Sequence, residues 1–239
     1  MRFIFWHNSL YMSLGKCRRL QSRGAVSLLM FGLVLCFLAA AQESVIPTVG
    51  FNLVFPGSQP DKYAIFVPAT GNATYYSDGK LTPNSESDAF RVDFTISEAT
   101  RARIFDLAKR THYFEGDVDS RKKGLASTGV KTLMYRDAQK NTKATYNYST
   151  IPAVQDLTQL FQGLSTTLEF GRRLEYYHRY QKLALDDELK RMEEMAKQDN
   201  LPELAAVAPV LEQITADQSV INPVRARAQR LLERAGVTR

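Results

Sequence analysis

The segment most like a known chemical device is Gly124-Leu125-Ala126-Ser127-Thr128-Gly129-Val130-Lys131-Thr132, which nearly spells a phosphate-binding loop. Such a loop needs lysine directly after its last glycine, and it must lead into a helix whose free amides hold the phosphates. Here Val130 intervenes and the residues that follow are β-prone, so the segment reads as a flexible turn. Glu115, Asp117 and Asp119 could set three carboxylates around a calcium ion. The glycine and distal glutamate of a calcium-binding hand are missing, however, and Arg121, Lys122 and Lys123 would repel a cation. His112 could act as a base toward Ser97 or Ser127, yet neither a nucleophile elbow nor a paired-histidine metal motif supports that chemistry. The sequence therefore assigns no catalytic, cofactor-binding or metal-ligating residue, and it calls for no cofactor.

Two surfaces point to recognition instead. Tyr176, Tyr177, His178 and Tyr180, with Arg172 and Arg173 beside them, form an aromatic and basic band. Tyrosine and arginine are favoured at protein interfaces, so this band is the candidate partner contact. The competing reading packs the tyrosines against neighbouring helices. Arg227, Arg230 and Arg234 make a stripe on the last helix that could meet an acidic partner or anionic lipid, or simply be solvated.

The elements that must position these groups follow from periodicity. Val45 to Phe55 is rich in strand formers and ends at Pro56-Gly57. Tyr63 to Val67 and Ala73 to Tyr76 are further β-prone runs, the second closed by Asp78-Gly79, a turn signal. Phe90, Val92, Phe94 and Ile96 alternate with polar residues, the period of a half-buried strand. Ser97 is placed to cap a helix carrying Ile104, Leu107, Ala108 and Thr111 on one face. A hairpin follows, Val130 to Arg136 and Thr142 to Tyr148.

From Pro152 the period becomes helical. No proline interrupts residues 153–201, so a single helix of that length is allowed, with Gly171 as the expected break. Its polar face offers Glu175/Arg179, Asp186/Lys190, Asp187/Arg191 and Glu193/Lys197, each acid four residues before its base. Asn200 and Pro202 open a further helix divided at Pro209, and Asn222-Pro223 opens the last one, which stops at Gly236. The expected fold class is α+β, antiparallel strands with packed helices, followed by an all-helical C-terminal extension. The expected divisions are a signal segment at 1–41, an α+β domain at 42–170 and the helical extension at 171–239.

Charge and cysteine usage bound the rest. The 239 residues carry 31 basic and 25 acidic groups. Arg2, Lys16, Arg18, Arg19 and Arg23 precede residue 42, where no acid stands, so 26 bases face 25 acids in the remainder. That near-neutral remainder removes the electrostatic case for nucleic acid. The basic start, the apolar run Ala25 to Ala41 and the small residues Ala39, Ala40 and Ala41 form the pattern of a cleavable export signal cut after Ala41. Translation from Met12 would give it the usual signal length. An uncleaved anchor is the alternative, since the run spans about 26 Å as a helix. Cys17 and Cys36 both fall in this segment, which leaves no thiol after cleavage. The functional expectation is a secreted or periplasmic, non-enzymatic envelope or interaction protein. It would bind a protein partner or a second copy of itself and meet a membrane only through its N-terminal segment. A hydrolase-like exported enzyme using dispersed groups such as His112, Asp117 and Asp119 is the alternative.

Overall fold

A computed structural model of the chain describes residues 45–81 and 85–237. The expected signal segment, its cleavage point at Ala41 and both cysteines lie outside the described residues.

Six strands form one antiparallel sheet: β1 (Thr48–Val54), β2 (Lys62–Pro68), β3 (Asn72–Lys80), β4 (Ser87–Thr95), β5 (Val130–Arg136) and β6 (Asn141–Tyr146). Their order across the sheet is β4-β3-β2-β1-β5-β6. The period-two pattern sends every second side chain to one face. One register row shows the result, running Val92, Tyr75, Ile65, Phe51, Leu133 and Ala144 across all six strands. Two helices cover this face: α1 (Glu98–Arg110) through Ile104, Leu107 and Ala108, and α2 (Pro152–Tyr180) through Val154, Leu157, Phe161, Leu164 and Leu168. Phe161 stacks on Phe51, the ring centres 5.2 Å apart and the planes 3° from parallel. The opposite face satisfies its own polar groups. Lys62 pairs with Asp78 at 2.8 Å, Thr74 donates to Asp93 at 2.7 Å, and the Arg91 guanidinium lies over Tyr76.

Ser97 caps α1 as expected, its hydroxyl accepting the Thr100 amide. Asp78-Gly79 is not a turn. Both residues lie within β3, paired with Ala89 and Asp88 of β4. The glycine serves close approach: a Cβ at Gly79 would stand 2.9 Å from Pro60 Cα, in the loop that joins β1 to β2.

The long helix also departs from expectation. α2 runs without interruption through Gly171 and ends at Gln181, whose φ of −145° and ψ of 60° leave the helical region. Gly171 is a contact point, since a Cβ there would lie 2.6 Å from Val207 Cγ1. A short turn, Lys182–Ala184, leads to α3 (Leu185–Lys197). A turn of 3-10 helix at Leu204–Val207, α4 (Ala208–Ala216) and α5 (Asn222–Arg234) complete the chain, with Pro209 at the start of α4. α2 is shared by two cores. Its buried residues up to Leu168 belong to the sheet core, whereas Phe170 and Leu174 join Leu185, Leu189, Met192, Leu211, Val224 and Leu231 in a helical core.

Candidate functional site

α2 carries all six residues of the aromatic and basic band, but its helical geometry distributes them over different faces. Arg172 turns inward and is 7% exposed. It faces Glu169 at 3.6 Å, donates to the Asp88 carbonyl at 3.1 Å and stacks over Phe90. Glu169 is itself buried. One carboxylate oxygen accepts the Tyr75 hydroxyl at 2.8 Å and the Ser77 hydroxyl at 2.6 Å, and the Ser165 hydroxyl meets that of Tyr75 at 2.9 Å. A buried charge persists only when it is paired and hydrogen-bonded; Glu169 meets both conditions, while Arg172 Nη1 has the ion pair but no hydrogen-bond partner among the described residues. Burial, with Glu169 beside it, pushes the Tyr75 phenol far above its ordinary value, so it stays a donor.

Arg173 is also engaged. Its Nε donates at 2.6 Å to Glu188, a 1% exposed carboxylate on α3 that also meets Arg191. His178 Nε2 lies 2.9 Å from Asp217, which also takes Lys182 at 2.6 Å. Lys182, the Ser219 hydroxyl and backbone, and His178 together hold the Asp217 carboxyl well below the usual range. Tyr177 is partly buried against the helical core. The band therefore separates into a side that builds the interior, Arg172, Arg173, Tyr177 and His178, and a side with the half-buried Tyr176 and the exposed Tyr180.

Those two rings lie one helical turn apart, their centres 5.2 Å from one another. Tyr180 is 65% exposed and Leu183, in the turn that follows, is 98% exposed. Arg179 stacks over Tyr180 and has no carboxylate partner among the described residues. An apolar tip capped by an unpaired cation thus stands at the corner between α2 and α3. Leu183 is absent from the sequence-based set because the helical period there is carried by Leu185, two residues on, which enters the core.

The remaining candidates serve the fold. Asp119 accepts the backbone amides of Arg121 and Asn147, Asp117 pairs with Arg121, and Glu115 pairs with Lys140. Among the described residues no group of three or more histidine, cysteine, aspartate or glutamate side chains could hold a metal. Lys131 lies in β5, so the near phosphate loop leads into a strand. Its buried amine donates to the Thr128 hydroxyl, the Thr128 carbonyl and the Asn147 carbonyl at 2.7, 3.0 and 2.9 Å. Desolvation lowers its pKa, partly opposed by Asp119. His112 is exposed at the end of α1, and Ser97 is bonded to Glu203.

The arginine stripe on α5 faces α3. Arg227 and Arg230 grip Glu193 at 2.9 and 2.8 Å, Arg227 also meets Asp186, and Arg234 meets Asp199. Of the four expected pairs along the helix surface, Glu193–Lys197 forms, at 4.0 Å, while Asp186 and Arg191 take other partners. No family model matches the chain, and no curated protein matches it. Among the described residues no helix is long and apolar enough to cross a membrane.

Proposed function

We propose that the chain is an exported, non-enzymatic interaction protein that docks a protein partner through the tip formed by Tyr176, Arg179, Tyr180 and Leu183. The observation that carries this reading is Leu183, 98% exposed, beside Tyr180, 65% exposed, whose ring packs on that of Tyr176. A leucine and two tyrosines held at a rigid helix corner offer a large apolar contact with little side-chain entropy to lose. The partner implied is a protein surface with an apolar hollow flanked by a carboxylate, which would take Arg179 where no described residue does. Export is supported by the basic, apolar and small-residue order of residues 1–41.

Point variants test docking better than truncation at residue 171, because Arg172 and Leu174 are built into the cores. The Leu183→Ser/Tyr180→Ser double variant and Arg179→Glu should fold normally by circular dichroism. Cross-linking followed by mass spectrometry should recover a partner with the parent chain and lose it with both variants. Recovery of the same partner at the same yield with both variants would reject the tip as the contact. Sedimentation of the purified chain tells a second copy from a different protein. Intact mass after expression in an exporting bacterium should begin at Gln42, whereas a full-length membrane-bound species would make residues 25–41 an anchor.

A further inference from the structure

A second site lies at the other side of α2, under the loop that joins β1 to β2. There a hollow of about 420 Å³ opens between Leu53, Phe55 and Pro60 on one side and Gln162, Thr166 and Arg173, a stripe along α2, on the other. That volume falls within the range of small-molecule pockets, roughly 300–1,000 Å³. The Arg173 guanidinium is held from two directions. Its Nε donates to Glu188 at 2.6 Å, and its Cζ lies over the Phe170 ring, 4.8 Å from the ring centre. Its two Nη groups donate to nothing among the described residues, and neither is shut off from solvent. A fork fixed at one edge and free at the other is prepared to take the paired oxygens of a carboxylate or a phosphate.

The charges around the hollow set the sign of its ligand. Glu169, in the wall, is already satisfied: it accepts the Tyr75 and Ser77 hydroxyls and faces Arg172. Glu188 serves Arg173 and Arg191 together, and neither arginine meets another carboxylate among the described residues. Two guanidiniums therefore share one carboxylate, and the cluster keeps one positive charge, which Arg173 presents to the hollow. An anion would neutralise that charge without breaking any pair, whereas a cation would have to compete with Arg172 for a buried carboxylate. Beside the guanidinium, Leu53, Phe55 and Pro60 offer an apolar wall. A bare inorganic ion would leave that wall wet, and a ligand with an apolar body would dry it.

We infer that this hollow binds a small organic anion, the free edge of the Arg173 guanidinium taking its carboxylate or phosphate head and the wall of Leu53, Phe55 and Pro60 its apolar body. The site is separate from the docking tip, so either assignment stands without the other.

Benzoate and phenyl phosphate are the probes, titrated into the ¹⁵N-labelled full chain up to about 50 mM, which covers millimolar dissociation constants. At least one of them should shift the Arg173 Nε–H signal and the amides of Ser58, Gln59, Thr128 and Thr166. Tighter binding of benzoate assigns a carboxylate head and tighter binding of phenyl phosphate a phosphate head, and either result supports the site. Inorganic phosphate, a head without a body, should bind about tenfold more weakly. Arg173→Lys keeps a cation beside Glu188 but loses the fork, so it should fold as the parent does by circular dichroism and bind about tenfold more weakly. Arg191→Gln, on a side chain 64% exposed and outside the hollow, should weaken binding roughly threefold through charge alone. The inference is overturned if neither probe shifts these signals, if either variant binds as the parent does, or if inorganic phosphate binds as tightly as the organic probes. Benzylamine or benzyl alcohol binding as tightly as benzoate would also overturn it, by assigning the hollow to a cation or a neutral ligand.

Discussion

The two ends of α2 meet the same demand, burial of one helical face, by opposite means. Up to Leu168 the helix lies on a sheet under an apolar cover, with one buried carboxylate, Glu169, at the boundary, held by two hydroxyls and by Arg172. From Phe170 on it is covered by helices whose apolar seam is bordered by charge: Arg173–Glu188, Arg227–Glu193, Arg230–Glu193 and Arg234–Asp199. A sheet presents a continuous surface onto which a helix can be lowered. Separate helices must also be told at which height to stand, and ion pairs across their borders do that. The sheet end should therefore be indifferent to salt and pH where the helical end is not.

The largest expected effect breaks the sheet end. Phe161→Ala removes the ring stacked on Phe51 and should cost about 3–5 kcal/mol in urea unfolding, whereas Leu189→Ala in the helical core should cost about 2–5. Hydrogen exchange should separate them. Phe161→Ala should speed exchange in strands and helices alike, and Leu189→Ala chiefly in α3 to α5. Equal acceleration of the strands by both would mean the two cores are one cooperative unit.

Next is Glu169→Leu, which leaves the buried Arg172 with only the exposed Asp88 as carboxylate partner and should cost about 3 kcal/mol, since breaking a buried pair from one side is worse than lacking it. Stability equal to the parent would show that the pair is dispensable. Gly171→Val comes third. A side chain pressed onto Val207 should cost about 1–3 kcal/mol by overpacking, and a stable variant with unchanged exchange in α4 would refute that close approach.

The smallest effect sharpens the contrast. The Arg230 side chain, with Arg227 and Lys197 adding to it against partial burial, lowers the Glu193 pKa to about 2 from an ordinary 4.5. A carboxyl whose folded pKa is depressed stabilises the fold above its unfolded pKa. That contribution is lost as pH falls from about 4.5 toward 2. Glu193→Gln should cost on the order of 1 kcal/mol at pH 6 after solvent screening, and the gap to the parent should shrink by pH 3 and in high salt. A gap that is constant with pH would remove Glu193 as the source.

Legibility in the sequence followed the range of the forces involved. β4, the Ser97 cap, the Val130–Arg136 hairpin strand and α5 were readable because alternation, capping and proline placement act within a few residues. Gly79 and Gly171 were read as turn and break, the local meaning of glycine, whereas their roles are set by Pro60 and Val207, distant in the chain. The arginines of α5 looked like a solvated or partner-binding stripe for the same reason, since Glu193 and Asp186 lie on another helix. Of the aromatic band, only the choice of α2 was legible. Which side of it faces out depends on the sheet and on α3, and Glu169, the carboxylate that turns Arg172 inward, carried no motif.

The place of β1 at the middle of the sheet has a consequence in time. Val54 pairs with Lys62 on one side and with Val130 on the other, so one neighbour is made almost at once and the other long afterwards. At about 5–20 residues per second, a growing chain carries β1 for several seconds as an open edge, the kind of edge that recruits foreign strands. The backbone groups on that side of β1 thus stay unpaired until β5 is made.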